Sequence, residues 1–296
     1  MNKLGRLITA MVTPFDDMGG VDYPGAKRLA SALLDSGSEG LVVVGTTGES
    51  PTLVQAEELR LFQEVKAAIG ERGSLIAGTG SNSTAEALET TRAAESVGVD
   101  ACLLVVPYYN KPTQEGMYQH FKAIAQGTSL PCILYNVPSR TVASLTAETV
   151  IRLSQIDNII GVKEASGNLE QIARIIGGTR EDFLVWSGND SDTLPILAVG
   201  GYGVISVASH LVGKQIKQMI DSFISGNTGE AAGIHRHLLP LLSTLFIVSN
   251  PVPVKYALNY LGFPAGPTRL PLTGPDENTA ALIRETLKDY QIDLPV

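Results

Sequence analysis

The order of apolar and amphipathic segments predicts an α/β fold, a (β/α)8 TIM barrel followed by a C-terminal helical extension. Three observations carry this reading. Eight short apolar, β-rich runs alternate with longer stretches of helical period. The runs are near-continuously apolar, as burial on both faces demands when side chains fill a barrel and helices cover it. From about residue 227 the alternation stops and only helical pattern is left.

The strand candidates, in order, are residues 7–14, 40–44, 75–78, 101–106, 132–136, 159–162, 183–187 and 203–207. Amphipathic stretches such as 55–70 and 85–97 lie between them, and eight strands each followed by a helix suggest closure. An open doubly wound sheet is the other way to arrange such units, but no G-x-G-x-x-G follows the first strand. Residues 1–226 are therefore expected to form the barrel carrying the active site, and residues 227–296 the extension, with helices at 229–248, 253–261 and 276–290. The Pro- and Gly-dense segments at 250–253 and 262–275 mark helix breaks.

With 44% hydrophobic and 18% charged residues the chain has the composition of a folded globular protein. Its formal charge of −8 leaves no clustered basic surface, so no nucleic-acid partner is expected. No apolar run approaches the roughly 18 residues of a membrane span. The N-terminus has Lys3 and Arg6 but no apolar stretch leading to a small-residue cleavage site. No membrane association is expected, and a cytoplasmic location is. Cys102 and Cys132 each sit inside an apolar strand candidate and read as buried free thiols. His235 and His237 are two apart on a helix and face different directions, and His120 and His210 have no carboxylate or cysteine at ligand spacing. Neither a metal nor a cofactor is expected. No G-x-S-x-G elbow or P-loop lysine occurs, which removes acyl transfer by that route and nucleotide hydrolysis.

In a barrel, residues just past the C-terminal end of each strand share one mouth. Here those positions are polar: Gly45-Thr46-Thr47-Gly48-Glu49-Ser50, Pro107-Tyr108-Tyr109-Asn110, Tyr135-Asn136-Val137-Pro138-Ser139-Arg140, Lys163-Glu164-Ala165-Ser166-Gly167 and Ser187-Gly188-Asn189-Asp190. Lys163 directly follows Ile159-Ile160-Gly161-Val162, at the end of a buried strand. Burial disfavours its ammonium form, and the resulting free amine can attack a ketone to form a Schiff base. The alternatives for such a lysine are to snorkel outward or to pair with Glu164. The Gly45-Thr46-Thr47-Gly48 turn offers consecutive backbone N–H groups and two hydroxyls to a carboxylate, though glycine-rich turns after strands are common. Tyr109 and Tyr135 suit proton relay if coupled to a threonine hydroxyl such as Thr46, or else are packing residues with one hydrogen bond. Arg140 either holds a substrate carboxylate with two parallel hydrogen bonds or lies on the surface.

These segments, together with Gly203-Val204-Ile205-Ser206-Val207, Gly78-Thr79-Gly80 and Asn250-Pro251-Val252-Pro253-Val254-Lys255, resemble the dihydrodipicolinate synthase family nearly end to end. G-T-T-G-E and G-x-K-E are shared with the wider pyruvate-dependent class I aldolase and N-acetylneuraminate lyase group, whereas the run from Tyr135 to Arg140 is more specific. The resemblance implies a lyase that condenses pyruvate with L-aspartate 4-semialdehyde in lysine and diaminopimelate biosynthesis. It implies imine formation on Lys163, a proton relay of Tyr135, Thr46 and Tyr109, and a Tyr109 that crosses from a neighbouring subunit. It places the backbone of Thr47 at the pyruvate carboxylate, Arg140 at the semialdehyde's carboxylate, and the backbone of Gly188 and Ile205 along the semialdehyde's site. It further implies a homotetramer, a dimer of dimers.

An allosteric lysine pocket between subunits is implied at Ser50, Pro51, Gln55, Glu58, Asn82, Glu86 and Tyr108. There Gln55 and Glu58 replace two histidines found in some relatives, leaving Asn82 and Glu86 to hold the effector's ammonium groups. The rival readings are another pyruvate-imine aldolase, such as N-acetylneuraminate lyase or a 2-keto-3-deoxy sugar acid aldolase, and a non-catalytic ligand-binding barrel. Arg140 favours a small carboxylate-bearing aldehyde over a polyol.

Overall fold

A computed structural model describes residues 4–295. Lys3, read above with Arg6, lies outside them. The strands are β1 Leu7–Ala10, β2 Gly40–Val43, β3 Ser74–Gly78, β4 Ala101–Val105, β5 Cys132–Asn136, β6 Ile159–Glu164, β7 Leu184–Ser187 and β8 Gly203–Ser206. They run in the order β1 to β8 around a closed barrel, with β1–β2, β3–β4, β4–β5, β5–β6, β6–β7 and β7–β8 paired in parallel. This is the predicted fold class. Most strands are buried along their whole length, which accounts for their unbroken apolar sequence.

Several helices start where short polar side chains satisfy the first free backbone N–H groups. The carboxylate of Asp22 accepts from the Gly25 N–H, the Ser83 hydroxyl from Glu86, that of Thr113 from Gly116, and Asn168 from Gln171. Helix Thr84–Val97 ends at Gly98, whose φ of 84° is left-handed and open to glycine without strain.

Two strand boundaries differ from the sequence reading in ways that matter. β1 stops at Ala10 rather than reaching Pro14, which has no N–H to give a ladder. β6 runs two residues further than expected, through Lys163 and Glu164. The two charged residues read as a loop, yet both continue the ladder.

The described residues fall into two compact units, one from Leu75 to Ile205 and one formed by the residues before and after it. In the second unit, helix Thr228–Thr244 packs on helix Ser209–Ile224, and helix Val252–Tyr260 on helix Glu277–Leu287. These helices cover the three predicted for the extension, with ends that differ by a few residues. Buried His210 is a core histidine: its Nε2 accepts the Val12 N–H at 3.1 Å and its Nδ1 donates to the Val207 carbonyl at 2.8 Å. Among the described residues, no helix is long and apolar enough to cross a membrane.

Candidate active site

β5 and β6 bring Tyr135, Asn136, Lys163 and Glu164 together on two consecutive rungs. Tyr135 is the register partner of Lys163, and Asn136 that of Glu164. Because side chains alternate across a strand, the two rungs serve opposite faces. On one face the Lys163 amine lies 4.5 Å from the centroid of the Tyr135 ring. Lys163 is only 5% exposed and Tyr135 is buried as well. On the other face the Glu164 carboxylate accepts both contacts of the Asn136 amide, at 3.0 and 3.2 Å, and the Ser166 N–H at 2.8 Å. Lys163 does not snorkel outward, and Glu164 is occupied by these other donors.

Burial lowers the Lys163 pKa to about 8; the Asp190 carboxylate pulls it back up, and the positive charge of Arg140 pushes it further down. The amine is thus neutral in a useful fraction of molecules near neutrality. Glu164 is shifted the other way: burial raises its pKa against the lowering effect of the Asn136 and Ser166 hydrogen bonds.

Glycine makes this arrangement possible at two positions. A Cβ on Gly161 would stand 2.3 Å from the Leu184 carbonyl oxygen and 2.8 Å from the Trp186 ring, so only glycine lets β7 approach β6 beside the lysine. A Cβ on Gly188 would stand 2.7 Å from that of Ala165 and 3.2 Å from Cε of Lys163. Gly188 therefore lets the backbone after β7 pack closely against the lysine stem.

Arg140 lies in the short helix Pro138–Thr141, which ends where Val142 turns left-handed at a φ of 60°. It is exposed and near enough for its charge to act on Lys163. Ile205 is buried in β8. Tyr109 takes the left-handed conformation at a φ of 72° and is 91% exposed, an uncommon pairing for a bulky aromatic residue. In the same unit, the Asn82 amide donates to the Tyr108 carbonyl at 3.1 Å, the Asn110 amide donates to the Asn82 carbonyl at 2.9 Å, and the Ser81 hydroxyl donates to Glu86 at 2.9 Å. Asn82, Glu86 and Tyr108 are in this way drawn into one neighbourhood.

The turn from Gly45 to Ser50 belongs to the other unit. It closes through the Glu49 N–H on the Thr46 carbonyl (3.1 Å) and the Ser50 N–H on that of Gly45 (3.3 Å), while the Thr13 hydroxyl donates to the Gly48 carbonyl at 2.6 Å. Thr46 is half-buried and Thr47 buried. Ser50 and Pro51 form a short 3-10 turn, and Gln55 and Glu58 sit in the first turn of helix Gln55–Ile69. Burial raises the pKa of Glu58 to about 7, with the adjacent charge of Glu57 adding to it.

The sequence reading missed Asp190, buried and acting on the Lys163 charge, and the Asn136–Glu164 pair. Their only signal was position, both standing in polar runs at strand ends. It also missed Asn250, Lys255 and Arg269, whose partners lie about two hundred residues earlier.

Residues 3–290 match the model of the Dihydrodipicolinate synthetase family. The 4-hydroxy-tetrahydrodipicolinate synthase of Dehalococcoides mccartyi is 71% identical over 296 residues, covering all of both chains. Among solved structures, the DHDPS from Cyanidioschyzon merolae with lysine bound superposes with a TM-score of 0.95 at 49% identity, covering 97% of this chain and 98% of that one. The chloride-inhibited dihydrodipicolinate synthase from Acinetobacter baumannii complexed with pyruvate gives 0.94 at 40% identity, covering 97% and 99%.

Proposed function

Because the chain belongs to the dihydrodipicolinate synthetase family, the lyases that condense pyruvate with L-aspartate 4-semialdehyde in lysine and diaminopimelate biosynthesis, we propose that its reaction runs through an imine on Lys163. The observation that carries this reading is the buried amine, its pKa lowered to about 8, with the centroid of the Tyr135 ring 4.5 Å away. A neutral amine adds to C2 of pyruvate and water leaves, giving the imine. The imine withdraws electrons from the methyl carbon, whose proton is then removed. The resulting enamine attacks the aldehyde carbon and forms the new carbon–carbon bond.

The Tyr135 ring beside the amine supports its membership of a proton relay, and we assign Tyr135, Thr46 and Tyr109 to that relay on the family resemblance. Thr47 takes the pyruvate carboxylate and Arg140 the carboxylate of the semialdehyde, with Gly188 and Ile205 lining the site. The exposure of Tyr109 supports a tyrosine that works in a neighbouring subunit, and we propose a homotetramer built as a dimer of dimers. The lysine-bound relative supports L-lysine as an effector, and on the family resemblance we assign its pocket between subunits to Ser50, Pro51, Gln55, Glu58, Asn82, Glu86 and Tyr108. We place the enzyme in the cytoplasm.

Borohydride added with pyruvate tests the central step. The expected result is a covalent adduct on Lys163 with the mass of the reduced pyruvyl group, absent from Lys163→Ala. An unmodified parent protein, or an adduct that persists in that variant, overturns the imine reading.

A further inference from the structure

The turn from Gly45 to Ser50 does not hold its shape by its own hydrogen bonds alone. It starts after Val44 at a φ of 60° and passes through Glu49 at a φ of 57°, two side-chain-bearing residues in the left-handed region. For a β-branched residue such as Val44 this is an outlier, of the kind that persists only when the surroundings fix it. The surroundings here come from the C-terminal helical segment. The Asn250 amide donates to the Thr47 hydroxyl oxygen at 2.9 Å. The Lys255 ammonium donates to one oxygen of the Glu49 carboxylate at 2.8 Å, and the Arg269 backbone N–H donates to the other at 2.9 Å.

All of these partners except Arg269 are buried, and the Lys255–Glu49 ion pair is at most 2% exposed on either side. A buried ion pair is poor evidence of added stability, because desolvation offsets its attraction; its better-attested use is to fix one geometry. The environment of Lys255 is consistent with that use. Its amine also donates to the Pro267 carbonyl at 2.7 Å and lies 4.1 Å from the centroid of the Phe15 ring, a ring that the Arg269 guanidinium also approaches at 4.4 Å. That guanidinium in turn donates to both oxygens of Glu57, at 2.8 and 2.6 Å, and to the Thr52 carbonyl at 2.6 Å.

The bond from Asn250 has a direct chemical consequence. When the Thr47 oxygen accepts from an amide, its own proton is left to be donated elsewhere. An anionic group arriving at the turn then meets a hydroxyl already oriented as a donor.

We propose that Asn250 and Lys255 are positioning residues for pyruvate: Asn250 orients the Thr47 hydroxyl toward the substrate carboxylate, and Lys255 fixes the turn through Glu49. This rests on the reading that the turn receives that carboxylate. Neither residue touches the reacting carbon, so their loss raises the pyruvate concentration needed for imine formation and leaves the imine chemistry itself in place.

The test is borohydride trapping on the full-length protein across a pyruvate series without the second substrate, read by intact mass, with melting temperature recorded alongside. Asn250→Ala is expected to raise the half-saturating pyruvate about tenfold or more, the effect of losing one well-placed hydrogen bond to a charged group, and still to reach full labelling of Lys163. Asn250→Asp is expected to raise it further, because a carboxylate there takes the Thr47 proton for itself and repels the substrate anion. For the ion pair, the double variant Glu49→Gln with Lys255→Met avoids stranding a single buried charge, and a similar rise is expected.

A merely structural role would lower the melting temperature or the labelled fraction and leave half-saturation unmoved. Half-saturation within twofold of the parent in Asn250→Ala overturns the role of Asn250. The same result in a folded double variant overturns that of Lys255, and should the double variant not fold, Lys255→Arg, which keeps the charge, must restore at least part of the parent's half-saturation. If the parent gives no adduct, the imine reading falls and this inference with it; a labelled parent with unmoved variants removes this inference alone.

Discussion

Lys163 and Tyr135 occupy the same rung of adjacent strands, with the amine 4.5 Å from the centroid of the phenol ring. The ring closes one side of a nearly dry amine, and burial is the largest influence on its protonation. What the lysine can do is thus set by the water the strands exclude.

The rate of adduct formation should follow the free amine. With a pKa of about 8 the rate rises roughly tenfold per pH unit below that value and levels off above it. The Asp190 carboxylate raises this pKa, so Asp190→Asn is expected to move the midpoint to lower pH. Trapping rates measured between pH 6 and about 10 check both. A midpoint near the ordinary lysine value, or one unmoved by Asp190→Asn, contradicts the electrostatic account.

Gly188→Ala introduces a methyl group 2.7 Å from the Ala165 Cβ and 3.2 Å from Cε of Lys163. Overpacking of this kind typically costs about 1–3 kcal/mol, and here it also displaces the reacting side chain. Turnover should fall by more than an order of magnitude while the protein still melts cooperatively. Full activity would mean that the close packing of Gly188 against the lysine stem does not position the amine.

Glu164→Ala leaves the Ser166 N–H without its buried acceptor and the Asn136 amide with only the Ser144 hydroxyl at 3.3 Å. A stranded group costs about 1–3 kcal/mol, so the loss should appear as a lower denaturation midpoint. The folded-state pKa of Glu164 is raised, so the protonated form is favoured by folding. Its contribution is largest below the unfolded-state value and declines as pH rises from there through the folded-state value. Glu164→Gln should flatten that part of the stability profile, and an unchanged profile would remove Glu164 as its cause.

Lysine added at millimolar concentration should slow the enzyme, and Glu86→Ala should weaken the effect. Glu58 gives the response a pH signature: its pKa of about 7 means that it gains negative charge between mildly acid and mildly alkaline conditions, favouring a cationic effector as pH rises. Initial rates with and without lysine at pH 6 and about 8 test this. Equal rates at both would remove the effector reading.

Much of this was legible in the sequence. Eight apolar runs gave the strands because two-sided burial leaves a compositional trace, and Lys163 stood out as a charge directly after one of them. The end of β6 was not legible. Lys163 and Glu164 break the apolar pattern, and only the structure shows one turned toward Tyr135 and the other engaged by Asn136. Asp190 stands in a polar run that gives no hint of its role, since its effect on the lysine depends on proximity across strands. The ties of Asn250 to Thr47 and of Lys255 to Glu49 span 203 and 206 residues, a separation that no local periodicity encodes.

That separation bears on biosynthesis. A nascent chain that has emerged only as far as residue 249 already contains all eight strands, yet Thr47 and Glu49 still lack the donors that the last segment brings. Translation must pass residue 269 before the turn from Gly45 to Ser50 can be locked, so a product that stopped at residue 249 would carry Lys163 without finished support for that turn.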